Sequence, residues 1–147
     1  MPTTSTLHPS ATATPASESQ VLHQVQLTLK LAFGLVPIVA GLDKFTNFLA
    51  HWESYLNPLA LRIVPVSDYT LMHIVGVIEI IAGVLVLARP RIGAFVVMAW
   101  LLAIAAQLLV GWMFPDVAVR DIVMSLGALT LARLTPIVAA RENSVRS

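Results

Sequence analysis

The stretch YTLMHIVGVIEIIAGVLVLA, Tyr69–Ala88, runs for 20 residues and carries one formally charged side chain, Glu79. A bilayer's hydrocarbon core takes about 20 helical residues to cross. Runs of this length without period-two alternation exclude the strands of a closed barrel. A helix then satisfies its own backbone in lipid.

Reading outward, Arg89-Pro90-Arg91 punctuates the chain and a second apolar run follows, Ile92–Phe114, with Gln107 as its one strongly polar side chain. Phe114-Pro115-Asp116 separates it from Val117–Val138, which holds Arg120 and Asp121 in its first turn and Arg133 near its end. Toward the N-terminus lies the shortest run, Gln26–Leu42. Its Lys30 can snorkel to the headgroups, and Pro37 is expected to kink it. The two short connections force antiparallel neighbours. The link from Asp43 to Asp68 is longer: Phe45, Phe48, Leu49, Trp52 and Leu56 form an apolar stripe at helical spacing before Asn57-Pro58. That pattern predicts a short helix lying in the membrane interface.

The expected fold is therefore all-α, a polytopic antiparallel bundle of four transmembrane helices with an interfacial helix between the first two. Residues 1–22 are expected to be a disordered cytoplasmic leader, 23–140 the membrane domain and 141–147 a cytoplasmic tail. The first Lys or Arg is Lys30, so no basic region precedes an apolar one and no cleaved signal is expected. With the N-terminus inside, six Lys and Arg fall on the inner side and three on the outer. The positive-inside rule then places both termini in the cytoplasm.

Composition agrees. Of 147 residues, 57% are hydrophobic and 12% charged. Soluble domains have roughly 45–50% and about 25%. The mean hydropathy is +0.82. These values exclude a cytosolic enzyme and a disordered chain. A net charge of +1 offers no basic face for nucleic acid. There is no cysteine, which removes thiolate metal sites, iron–sulfur clusters and covalently attached haem.

Ionisable groups inside a membrane are costly and each needs a reason. Glu79 lies about ten residues from the outer end of its run, hence ~15 Å deep. Gly76 and Gly83 bracket it on one face, so it should point into the bundle, as a proton-accepting or ligand-binding group or as a structural carboxyl. Gln107 could bond Glu79 or His73, the latter near the outer end of the same run. Asp121 heads a small-residue stripe with Ser125, Ala128 and Ala132. Asp43 and Lys44 end the first run on the same outer side as Arg120 and Asp121. These four form either a salt-bridge ring that sets helix register or, with Glu79, His73 and Gln107, a polar pocket for an anionic or carbonyl-bearing headgroup. Trp52, Tyr55 and Trp112 suit an outer aromatic belt. His51 lies in the link and His73 in the run Tyr69–Ala88, and no metal-binding spacing or nucleophile–base pair is present, so no catalytic residue is named.

Gly41-Leu42-Asp43-Lys44-Phe45, the Trp-containing link, the glycine-bracketed Glu79, Arg89-Pro90-Arg91-Ile92-Gly93 and Val119-Arg120-Asp121 together resemble the DoxX/DoxD-like family of small bacterial four-helix membrane proteins. The resemblance covers about Leu27 to Leu134. It implies a multi-pass protein of the bacterial inner membrane, acting as an accessory or anchoring subunit of a membrane redox complex. Two alternatives stand beside it: a quinone-interacting subunit similar to thiosulfate:quinone oxidoreductase, and a small proton-coupled transporter. The implied partners are the bilayer and either other proteins or further copies of the chain. No intrinsic cofactor is implied; quinone is the ligand the resemblance admits.

Overall fold

The computed structural model describes residues 15–56, 66–112 and 114–146. It is all-helical there: α1 (Pro15–Asp43), α2 (Asp68–Ala88), α3 (Pro90–Val110) and α4 (Pro115–Arg146), with one 3-10 turn at Trp52–Tyr55. All four α-helices are long and apolar enough to cross a membrane. The two central ones have 21 residues each, about 31 Å of helix, close to one hydrocarbon thickness.

The boundaries have local causes. Ser67 caps α2 by accepting the Thr70 N–H through its hydroxyl at 3.2 Å. Arg89 alone separates α2 from α3, and Pro90 opens α3 where its missing N–H costs nothing. The third helix stops at Val110, four residues before the expected end. Gly111 closes it, and Trp112 turns the chain at φ 48°. Pro37 and Pro136 both stay inside continuous helices.

The helices run past two of the expected boundaries. Residues 15–22, read by composition as leader, are the first turns of α1, and 141–146, read as tail, are the last turns of α4. Tertiary pairing explains both: Arg141 reaches Glu18 at 3.6 Å and His23 reaches Glu142 at 3.7 Å, so each extension has a neighbour to lie against. Residues 1–14 of the expected leader lie outside the described residues.

The helices form a ring in which α1 packs on α2, α2 on α3, α3 on α4 and α4 on α1. Glycines set the first contact. A Cβ on Gly41 would stand 2.5 Å from the Gly76 carbonyl oxygen, and one on Gly76 would stand 2.7 Å from that of Gly41. One heptad away, Gly34 meets Gly83, the numbers rising along α1 as they fall along α2. Such close approach gains dispersion where lipid supplies little hydrophobic drive between helices. The core is correspondingly small-grained: Ala82, Ala94, Ala128 and Ala132 with Val86, Val97, Leu131 and Phe33.

The surface inverts the soluble pattern. Large aliphatic side chains such as Leu35, Val36, Val39, Ile81 and Val123 point outward, while Asp43, Lys44, Glu79, Asp121 and Ser125 are buried. Water would penalise such a surface; lipid would not. The fold is compatible with a bilayer environment and suggests a membrane protein.

The link is where expectation and structure part. Residues 44–56 do not form a helix on the apolar stripe. They form turns ending in the four-residue 3-10 turn. Residues 57–65 of the link lie outside the described residues. The cause is the Asp43 carboxylate, described next.

Candidate functional site

Asp43 ends α1 with its side chain turned to the chain that follows. Its carboxylate accepts the backbone N–H groups of Phe48 (3.0 Å) and Leu49 (3.0 Å), the Trp52 indole N–H (2.7 Å) and the Thr46 hydroxyl (3.2 Å). An aspartate that gathers nearby amides offers the backbone an alternative to the helical ladder. That competition replaces the expected interfacial helix with a compact loop. Asn47 occupies the left-handed region at φ 50°, a conformation asparagine tolerates, and donates to Glu53 at 2.9 Å. This amide holds the Glu53 carboxyl below the usual carboxylate range.

Lys44, the next residue, turns the other way. Its ammonium donates to Glu79 Oε2 at 2.6 Å, across the α1–α2 seam. Both side chains are buried, at 4% and 10% exposure. The Trp52 ring lies over the same ammonium, 3.7 Å from Nζ to its centroid. Trp52 thereby bridges two adjacent residues of opposite charge: its N–H goes to Asp43 and its face to Lys44. The seam glycines make this possible, because Gly41 and Gly76 bring α1 close enough for Lys44 to reach Glu79.

The loop is then tied to the far side of the bundle. Gln107 on α3 donates to the Tyr55 carbonyl at 3.2 Å, and the Tyr55 ring packs on Phe114 with centroids 4.7 Å apart. The expected Gln107 bond to Glu79 or His73 is replaced by this one, since Lys44 has already claimed Glu79. His73 sits in an aromatic cluster, its ring 4.7 Å from Phe45 and 4.1 Å from Tyr69, with Nδ1 2.7 Å from the Tyr69 carbonyl oxygen.

Arg120 and Asp121 keep to themselves. Arg120 donates through Nε (3.2 Å) and Nη2 (3.1 Å) to one oxygen of Asp121. The carboxylate is buried and the guanidinium is 63% exposed. Ser125, one turn on, donates its hydroxyl to the Ile122 carbonyl rather than to Asp121.

The seven residues singled out from sequence thus fall into three groups. Lys44 and Glu79 form one buried ion pair, which Asp43 and Gln107 help to roof through the loop. Arg120 and Asp121 form a second, separate pair. His73 belongs to a ring cluster. The four-charge ring does not form among the described residues, because Asp43 is occupied by amides and Lys44 by Glu79. Trp52 and Tyr55, expected in an outer belt, are structural parts of the roof. The signal for that was the Asp43…Asn47 spacing at a helix end, which is turn chemistry hidden beneath a helical apolar stripe. Among the described residues no three His, Asp or Glu side chains gather as a metal ion would need. Compared with known proteins, the chain matches no family model, no curated protein and no solved structure.

Proposed function

We propose that this chain is a multi-pass protein of the bacterial inner membrane, of the DoxX-like type, folded as an antiparallel four-helix bundle with both termini cytoplasmic. In this reading it works as an accessory or anchoring subunit of a membrane redox complex. The observation that carries the proposal is where its buried charge is spent. Lys44 is committed to Glu79, Asp43 to the loop amides and Asp121 to Arg120. Charges paired in this way hold helices in register and leave a rigid frame with an ordered loop at one end. A frame of this kind suits anchoring better than turnover. The bilayer is its first partner, and other proteins or further copies of the chain complete the assembly.

Mild-detergent purification of the full chain from its native host, at native expression, tests the reading. Redox proteins should co-purify in fixed stoichiometry. A chain that always runs alone would reject the subunit role.

A further inference from the structure

Among the described residues, the four most exposed large apolar side chains are Phe48 (87%), Trp112 (80%), Val110 (72%) and Leu49 (64%). They do not scatter over the lipid-facing helices. Phe48 and Leu49 lie on the loop after α1, and Val110 and Trp112 lie at the end of α3. Those two segments are fastened together by the Gln107 bond to Tyr55 and the stacking of Tyr55 on Phe114. All four therefore crown one end of the bundle.

Their backbone is arranged for this. Trp112 holds φ 48°, which costs a bulky residue about 1 kcal/mol. Its backbone N–H donates to the Leu109 carbonyl at 3.0 Å, while its indole makes no ring contact or hydrogen bond among the described residues. Phe48 and Leu49 donate their N–H groups to the buried Asp43 carboxylate, which pins their backbone and leaves the side chains outward. Height is fixed as well. Val110 closes a 21-residue apolar span, so Trp112 stands about one hydrocarbon thickness from Pro90. An apolar ring carrying a free N–H at that level fits the boundary between acyl chains and headgroups.

We infer that Phe48, Leu49, Val110 and Trp112 form a lipid-binding collar, seated at the acyl–headgroup boundary of one leaflet. Trp112 is its polar-edged anchor. Trp52 is half-buried, its indole N–H held by Asp43 and its face by Lys44, and takes no part. The inference rests on the bilayer placement proposed above and extends it from the helix faces to the capped end.

The full chain is reconstituted in phosphatidylcholine vesicles containing lipids brominated either near the headgroup or deep in the acyl chains. Tryptophan quenching is then compared between wild type and Trp112→Phe. Phe114 already holds φ 49° as a phenylalanine, so the substitution suits the turn. Shallow bromines should quench more strongly than deep ones. About half or more of the shallow quenching should vanish in Trp112→Phe, because Trp52 is half-buried where Trp112 is 80% exposed, and Trp100 lies deeper. Equal shallow quenching in the two proteins overturns the inference. So does Trp112 emission quenched by aqueous iodide but not by bromolipid, or bromolipid quenching that appears only on dilution of protein in lipid, which would mean that a second copy covers the collar. Flotation of the vesicles separates the two levels: a chain that does not float with them overturns the bilayer placement itself, whereas a floating chain with unquenched Trp112 overturns the collar alone.

Discussion

Glu79 and Asp121 are both carboxylates on apolar helices, both buried, and both paired with a cation within 3.1 Å. They do different work because their partners come from different places. The partner of Glu79 is Lys44, 35 residues away on another element and only 4% exposed. The partner of Asp121 is the next residue, whose guanidinium is mostly in the open. The first pair joins α2 to the end of α1 and carries Trp52 on top. The second joins α4 to itself. Charge and burial alone therefore do not identify a structural ion pair; the sequence distance of the partner and the partner's own exposure do.

The largest effect that would test the contrast comes from Glu79→Ala. It leaves the Lys44 ammonium buried without a counter-ion, which costs about 3–5 kcal/mol. Unfolding titrations in detergent should show a loss of that size. The double variant Lys44→Met with Glu79→Leu should recover most of it, since apolar replacement of both partners removes the orphaned charge. If Glu79→Ala is nearly neutral, the pair is not the seam's fastener and the contrast collapses.

Gly41→Ala comes next. Its methyl would meet the Gly76 carbonyl oxygen, so α1 must move off α2, for about 1–3 kcal/mol. Because Lys44 directly follows α1 and Glu79 lies on α2, the substitution should add little further loss in the Glu79→Ala background. In the Asp121→Asn background it should be additive. A double-mutant cycle reads this directly.

Asp43→Asn should cost a similar amount, about 1.5–3 kcal/mol, the range for hydrogen bonds to a charged group. Its signature is local: Trp52 loses its indole acceptor, and its emission should shift and become accessible to acrylamide while the helical circular dichroism holds. Arg120→Gln should be the mildest, about 1 kcal/mol or less, because an exposed guanidinium adds little to a pair. A loss as large as that of Glu79→Ala would show that Arg120 does for α4 what Lys44 does for α2.

Much of the architecture was legible before any coordinates. The four apolar runs all appear as helices, and Arg89-Pro90 and Phe114-Pro115 mark the breaks, because apolar length and proline act through local chain chemistry. The inward placement of Glu79 was readable from Gly76 and Gly83, since small residues on one helical face mark a close neighbour. The loop was misread. Phe45, Phe48, Leu49, Trp52 and Leu56 satisfy a helical spacing, yet one aspartate at the helix end took the amides that a continuing helix would have used. The helical stretches 15–22 and 141–146 show the opposite case, since their support comes from a partner helix rather than from their own composition.

What the sequence by itself determined is the solvent and the element list. Hydropathy sums along the chain, so four helices long enough for a bilayer follow from order and composition alone. What only the tertiary structure decided is which charge meets which. Lys44 could have faced Asp43, Asp121 or Glu79, and Gln107 could have faced Glu79 or His73, since all lie toward one end. The choice fell to Glu79 and the Tyr55 carbonyl because Gly41 and Gly76 let two backbones approach within a methyl group of contact, while Asp43 folded Trp52 over the result. Pairing energies depend on a few ångströms between distant residues, and spacing along a chain does not carry that information.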